Sequence, residues 1–136
     1  MKVCIVGLGL IGGSYAKGLT KKGYEVYGVD KNLKTIEYAK ENGMIVDGYL
    51  DASCCLNFVD LVVICLYPND VIPFIKENLN HFKDGQVITD VCGVKTSICY
   101  EATSIIKNAY FIGSHPMAGR EKVGVMYADD NIFKGT

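Results

Sequence analysis

Three observations predict an α/β fold built on a doubly wound parallel sheet. Short apolar, β-branched runs alternate with stretches of helical periodicity along the chain. The clearest run, Asp60 to Leu66, is continuously apolar rather than alternating, which indicates burial on both faces. The polar and glycine-rich clusters all follow strands, so the topology gathers them on one edge of the sheet.

The elements follow in order. Lys2 to Val6 is a first strand, and Ile11 to about Lys22 a first helix. Tyr24 to Val29 is a second strand, ending at Asp30. Leu33 to Glu41 reads as a helix with Asn42-Gly43 as its C-terminal cap. Met44 to Asp47 is a short strand, and Ser53 to Phe58 a brief helix capped by Ser53. After the buried strand comes a helix from about Asp70 to Leu79, in which Pro73 is tolerable if it falls in the first turn. Gln86 to Thr89 is the next strand, Lys95 to Lys107 the next helix, and Tyr110 to Ile112 the last strand.

Length and composition set the class. The 136 residues suit one domain with a substantial core. Hydrophobic residues at 49% and charged residues at 21% exclude a disordered chain, and a net charge of −1 gives no reason to invoke nucleic acid or an anionic membrane. No apolar run approaches the ~20 residues that span a bilayer, and the start runs straight into strand and glycine loop with no room for a signal peptide. A cytoplasmic protein is expected. The six cysteines form no C-x-x-C pair, which argues against zinc and disulfides; Cys4 and Cys65 read as small core hydrophobes. No metal site is expected.

The first strand is followed by Gly7-Leu8-Gly9-Leu10-Ile11-Gly12, a G-x-G-x-x-G after a strand and opening a helix. Gly7 permits the tight turn, Gly9 lets a pyrophosphate approach the backbone, and Gly12 lets helix and strand pack closely. Exposed N–H groups at the helix start, including those of Leu10 and Ile11, favour phosphate. Asp30 stands 18 residues after Gly12, where a carboxylate can bond both ribose hydroxyls and repel a 2′-phosphate. This context identifies a Rossmann dinucleotide-binding fold and favours NAD, Lys31 being a cation that could still reach a phosphate. The other strand ends deliver Leu66, Tyr67 and Pro68, then Asp90 through Lys95, then Ser114 and His115.

His115 is one of two histidines and sits in Gly113-Ser114-His115-Pro116-Met117-Ala118-Gly119-Arg120-Glu121-Lys122-Val123-Gly124. Pro116 holds it extended, and an imidazole titrates near neutrality. The other histidine, His81, lies in a polar loop and reads as a solvated turn residue at the opposite edge of the sheet.

On these residues the chain resembles the nucleotide-binding half of the prephenate dehydrogenase family. That family joins the glycine fingerprint to an Asp-x-x-x-x-Lys strand end, here Asp90 to Lys95, and to the Gly-x-His-Pro-Met-Ala-Gly-x-Glu-x-x-Gly segment, complete here from Gly113 to Gly124. β-Hydroxyacid dehydrogenases share the fingerprint and the proline at Pro68 but lack that segment. The resemblance implies NAD-dependent oxidative decarboxylation of prephenate to 4-hydroxyphenylpyruvate and carbon dioxide, in tyrosine synthesis. It implies His115 as the base at the substrate hydroxyl and Lys95 as a supporting group. Where family members have Gly-Ser, this chain has Cys92-Gly93, which leaves Ser114 or a water to supply the hydroxyl, with Cys92 read as packing. Arg120, the single arginine, is either a substrate partner or a solvated loop charge.

The resemblance also implies a C-terminal helical domain that brings dimer contacts and cations for the substrate carboxylates. Residues 1–136 are therefore expected to be the NAD-binding domain of a truncated chain, with little activity alone and a homodimer at full length. The alternatives are the sibling activity on arogenate, or a stand-alone NAD-binding sensor module. The substrate partner is a small molecule in both enzyme readings.

Overall fold

The computed structural model describes residues 1–91, 96–113, 125 and 128. Among them, six parallel strands form one sheet: β1 (Lys2–Val6), β2 (Glu25–Val29), β3 (Asp47–Tyr49), β4 (Leu61–Ile64), β5 (Val87–Asp90) and β6 (Tyr110–Gly113). The order is β3-β2-β1-β4-β5-β6. The chain winds outward from β1 to β3, returns to β4 on the other side of β1, and winds outward again. The switch point lies between β1 and β4, where such sheets open a crevice beyond their carboxyl ends. That edge is a row in register: Val29, Val6, Ile64, Asp90 and Gly113.

Alternation along the strands divides the core in two. Val3, Ile5, Val26 and Val63 face α1 (Leu10–Lys21) and α2 (Leu33–Glu41), joined by Leu8, Met44, Val125 and Ala128. Cys4, Val6, Val62, Ile64 and Ile88 face α3 (Pro68–Glu77) and α4 (Thr96–Ile105). With both faces covered, β1 and β4 are apolar almost throughout, as their composition required.

Local chemistry explains where the expected boundaries shift. α2 ends in a Schellman turn: Gly43 takes φ +67°, its N–H donates to Lys40 O at 3.1 Å, and Met44 N–H donates to Ala39 O at 2.9 Å. Met44 is thus the hydrophobic plug of that cap, and β3 starts at Asp47 rather than Met44. The brief helix expected over Ser53 to Phe58 is a single 3-10 turn, η1 (Ala52–Cys54), and its cap is Asp51, whose Oδ1 accepts the Ser53 N–H at 2.9 Å. α3 begins at Pro68, because proline at a first helical position has its φ preset and no N–H to lose. Pro73 consequently falls in the second turn, not the first, and removes the hydrogen bond to the Asn69 carbonyl.

Gln86 locks the long β3–β4 connection to the sheet. Its buried amide donates to Leu56 O and Val59 O, each at 2.7 Å, and accepts the Lys83 N–H at 3.2 Å. Among the described residues no helix is long and apolar enough to cross a membrane.

Candidate nucleotide site

A cavity of about 710 Å³ opens at the carboxyl edge, at the switch point. Gly7 and Asp30 form one side, η1 a second, and α3 a third, through Pro73 and Phe74.

The glycine loop is built as its spacing required. Gly7 has φ +92° and donates its N–H to Val29 O at 2.7 Å; a Cβ there would meet the Cys65 carbonyl oxygen at 2.5 Å. A Cβ on Gly12 would collide with the Gly7 carbonyl oxygen. Gly9 differs: nothing stands within 4 Å of a Cβ placed on it, so open space faces the loop at that point. Gly9 is the N-cap of α1, no side chain caps the helix, and its first turn, with Leu10 and Ile11, carries no acidic residue. The positive end of the helix is therefore left to an anion.

Asp30 is fixed by the backbone on both sides. Oδ2 accepts the Leu8 N–H and Oδ1 the Asn32 N–H, both at 2.9 Å. Each oxygen keeps a lone pair for a hydroxyl donor in the cavity. Lys31 lines the same wall.

Leu66 and Tyr67 line the cavity, Tyr67 with 76% of its surface exposed. Pro68 does not line it; it starts the α3 wall. Asp90 is fully buried at the end of β5, beside Gly113 in the register, and does not line the cavity. Ser114, His115, Lys95, Cys92 and Arg120 lie outside the described residues. Gly113, just before Ser114, ends β6 on the carboxyl edge.

Sequence reasoning missed part of this wall. Asp51, Ala52 and Ser53 line the cavity through η1, and the end of α3 brings Glu77, Asn78 and His81 to it. His81 is exposed, as a turn residue should be, but it belongs to the cavity rather than to a remote edge. The Ser53 N–H and hydroxyl hold the Asp51 carboxyl below its ordinary range, and the nearby His81 side chain adds a smaller electrostatic contribution. Among the described residues no group of three or more His, Cys, Asp or Glu could hold a metal ion.

The residues fit a dinucleotide: a cradle open at Gly9, closed by the absence of side chains at Gly7 and Gly12, and an acid at the far side. Fold and site together define a nucleotide-binding α/β domain. Comparison with known proteins narrows the class. A family model described as "Prephenate dehydrogenase, nucleotide-binding domain" matches residues 15–136. The chain belongs to that family. A prephenate dehydrogenase of Lactococcus lactis is 33% identical over 138 residues, covering 98% of this chain and 38% of that protein. The structure of Aquifex aeolicus prephenate dehydrogenase in complex with hydroxyphenyl propionate and NAD+ matches with a TM-score of 0.92 and 33% identity, over 99% of this chain and 48% of that one. Synechocystis arogenate dehydrogenase matches with a TM-score of 0.91 and 32% identity, over 97% and 46%. The chain thus spans less than half the length of these relatives.

Proposed function

We propose that this chain is the NAD-binding, histidine-bearing half of a prephenate dehydrogenase. The observation that carries the reading is the Asp30 carboxylate, clamped between the Leu8 and Asn32 N–H groups at the wall of the switch-point cavity. An acid held there accepts from ribose hydroxyls and opposes a 2′-phosphate, which favours NAD over NADP. The related Aquifex enzyme, whose structure holds NAD+, supports the same cofactor.

Bound NAD would supply the hydride acceptor. The protein supplies position and one proton site. Gly7 and Gly9 admit the pyrophosphate to the start of α1, and Asp30 fixes the adenosine ribose. His115 follows Gly113 and Ser114 beyond β6, and takes the role of base. Its imidazole accepts the proton of the prephenate ring hydroxyl as hydride leaves the same carbon; loss of carbon dioxide then completes the aromatic ring. Ser114 and Lys95 are assigned supporting roles beside it.

The chain corresponds to under half of its relatives, so groups that bind the two substrate carboxylates are assigned to a companion helical domain, which would also make the dimer. The Synechocystis relative favours a second reading, in which arogenate is the substrate.

The experiment is NADH formation by the full-length protein with prephenate or arogenate, and with NAD+ or NADP+. Turnover with prephenate and NAD+, lost in His115→Asn while NAD+ binding is kept, is expected. Near-normal turnover in that variant removes His115 from the mechanism. Turnover with arogenate alone selects the second reading, and none with any pair leaves a binding module.

A further inference from the structure

A second set of reactive groups lies one layer behind the cavity wall. Cys4, in the middle of β1, and Cys55, just after η1, are both fully buried, and their sulfurs are 3.5 Å apart. The Cys55 sulfur also lies 3.7 Å from the Ala52 carbonyl oxygen. Val6 and Ala52, which pack in the same core cluster as the two cysteines, line the nucleotide cavity itself. The pair therefore joins the glycine-loop strand to the η1 wall, across 51 positions of sequence. Nothing in the nucleotide reading uses these thiols.

The two thiols are not equivalent. The hydrogen bond to Cys55, and then burial, hold the proton on Cys4, while the same contact lowers the Cys55 thiol. Cys55 is thus the better nucleophile of the pair, with Cys4 poised to follow. A disulfide needs the sulfurs at ~2.05 Å, so closure brings the two sulfurs together by roughly 1.5 Å.

We propose that Cys4 and Cys55 form a peroxide-oxidisable pair that closes to an intramolecular disulfide, pinning the η1 wall of the cavity to β1. Cys55 gives up its proton, and its thiolate attacks one oxygen of hydrogen peroxide; the S–O bond forms, the O–O bond breaks, and the leaving hydroxide takes the proton that Cys55 released, as a first water. The Cys4 sulfur then attacks the Cys55 sulfur; the S–S bond forms, the S–O bond breaks, and the departing hydroxide takes the Cys4 proton as water. Two thiols and one peroxide give one disulfide and two waters. The proposal stands independently of the cofactor and the substrate.

Two other thiols compete. Cys54 is exposed and adjacent in sequence, and Cys65 lies close enough to Cys4 to affect it electrostatically. The test treats the native full-length protein with hydrogen peroxide, alkylates the remaining thiols after denaturation, and maps the peptides by mass. The expected product is a Cys4 peptide joined to the Cys55 peptide, lighter than their sum by two hydrogen atoms, in wild type and in Cys54→Ser alike. Recovery of Cys4 and Cys55 fully alkylated, with Cys54 alone oxidised, overturns the proposal. A cross-link from Cys4 to Cys54 or Cys65 overturns it equally. The wild type and a variant at the exposed Cys54 supply the result, so it does not depend on a buried variant folding.

Discussion

The backbone N–H of Leu8 donates to Asp30 Oδ2 at 2.9 Å, tying the glycine loop after β1 to the end of β2. One carboxylate thereby shapes the glycine loop and presents acceptors to the cavity. Asp30→Asn replaces one acceptor oxygen by a donor and removes the negative charge. The variant is expected to bind NAD+ about tenfold more weakly, the scale of one lost hydrogen bond to a charged group, while NADP+ binding holds or improves. Calorimetric titration with both nucleotides checks this. An unchanged ratio of the two affinities would remove Asp30 from cofactor choice.

Gly9 and Gly12 make a matched pair of tests. A Cβ at Gly12 strikes the Gly7 carbonyl, so Gly12→Ala should destabilise the fold by about 1–3 kcal/mol, read as a lower melting temperature. A Cβ at Gly9 meets nothing within 4 Å, so Gly9→Ala should melt as wild type does yet bind NAD+ poorly, because the methyl enters the pyrophosphate's space. Unimpaired nucleotide binding by Gly9→Ala would show that the open space is not the phosphate site.

Gln86→Leu keeps the volume and loses the polar anchor. The Leu56 and Val59 carbonyls and the Lys83 N–H would all lose their side-chain partner. The expected cost is about 2–4 kcal/mol, or roughly 10 °C in melting temperature. Thermal denaturation followed by circular dichroism measures it, and a shift of under about 2 °C would mean that water replaces the amide.

Much of this was legible beforehand. The continuous apolar run of β4, the glycine spacing and Asp30 appear in the sequence because each is a local requirement of one element. Asn42-Gly43 marked the end of α2 for the same reason. The failures share a different cause. Met44 looked like strand, yet it plugs the helix cap, and Pro68 opened α3 two residues early, moving Pro73 into the second turn. The cavity wall from Asp51 to Ser53, with His81, depends on how the β3–β4 crossover and the end of α3 meet in space. No spacing along the chain encodes that meeting.

Acid should weaken the fold. Asp60 is held below its ordinary range by the Lys2 N–H and then by the Lys83 ammonium; Asp47 by the Gly48 N–H and then by Lys40. A carboxylate whose pKa is lower folded than unfolded, where it is about 3.9, contributes stability above the unfolded value. That contribution is lost as pH falls through the folded value. Melting temperature should be level from about pH 7 to 5 and decline below about pH 4, with a shallower decline in Asp60→Asn. Both ion pairs are exposed, so the effect is modest. A rise in stability on acidification would contradict the assignment.

Titrating the wild-type protein with NAD+ and, separately, NADP+ in a calorimeter shows whether the switch-point cavity is an NAD site. Saturable binding of one NAD+ per chain, at least tenfold tighter than NADP+, is expected. No binding of either, or equal affinity for both, would contradict it.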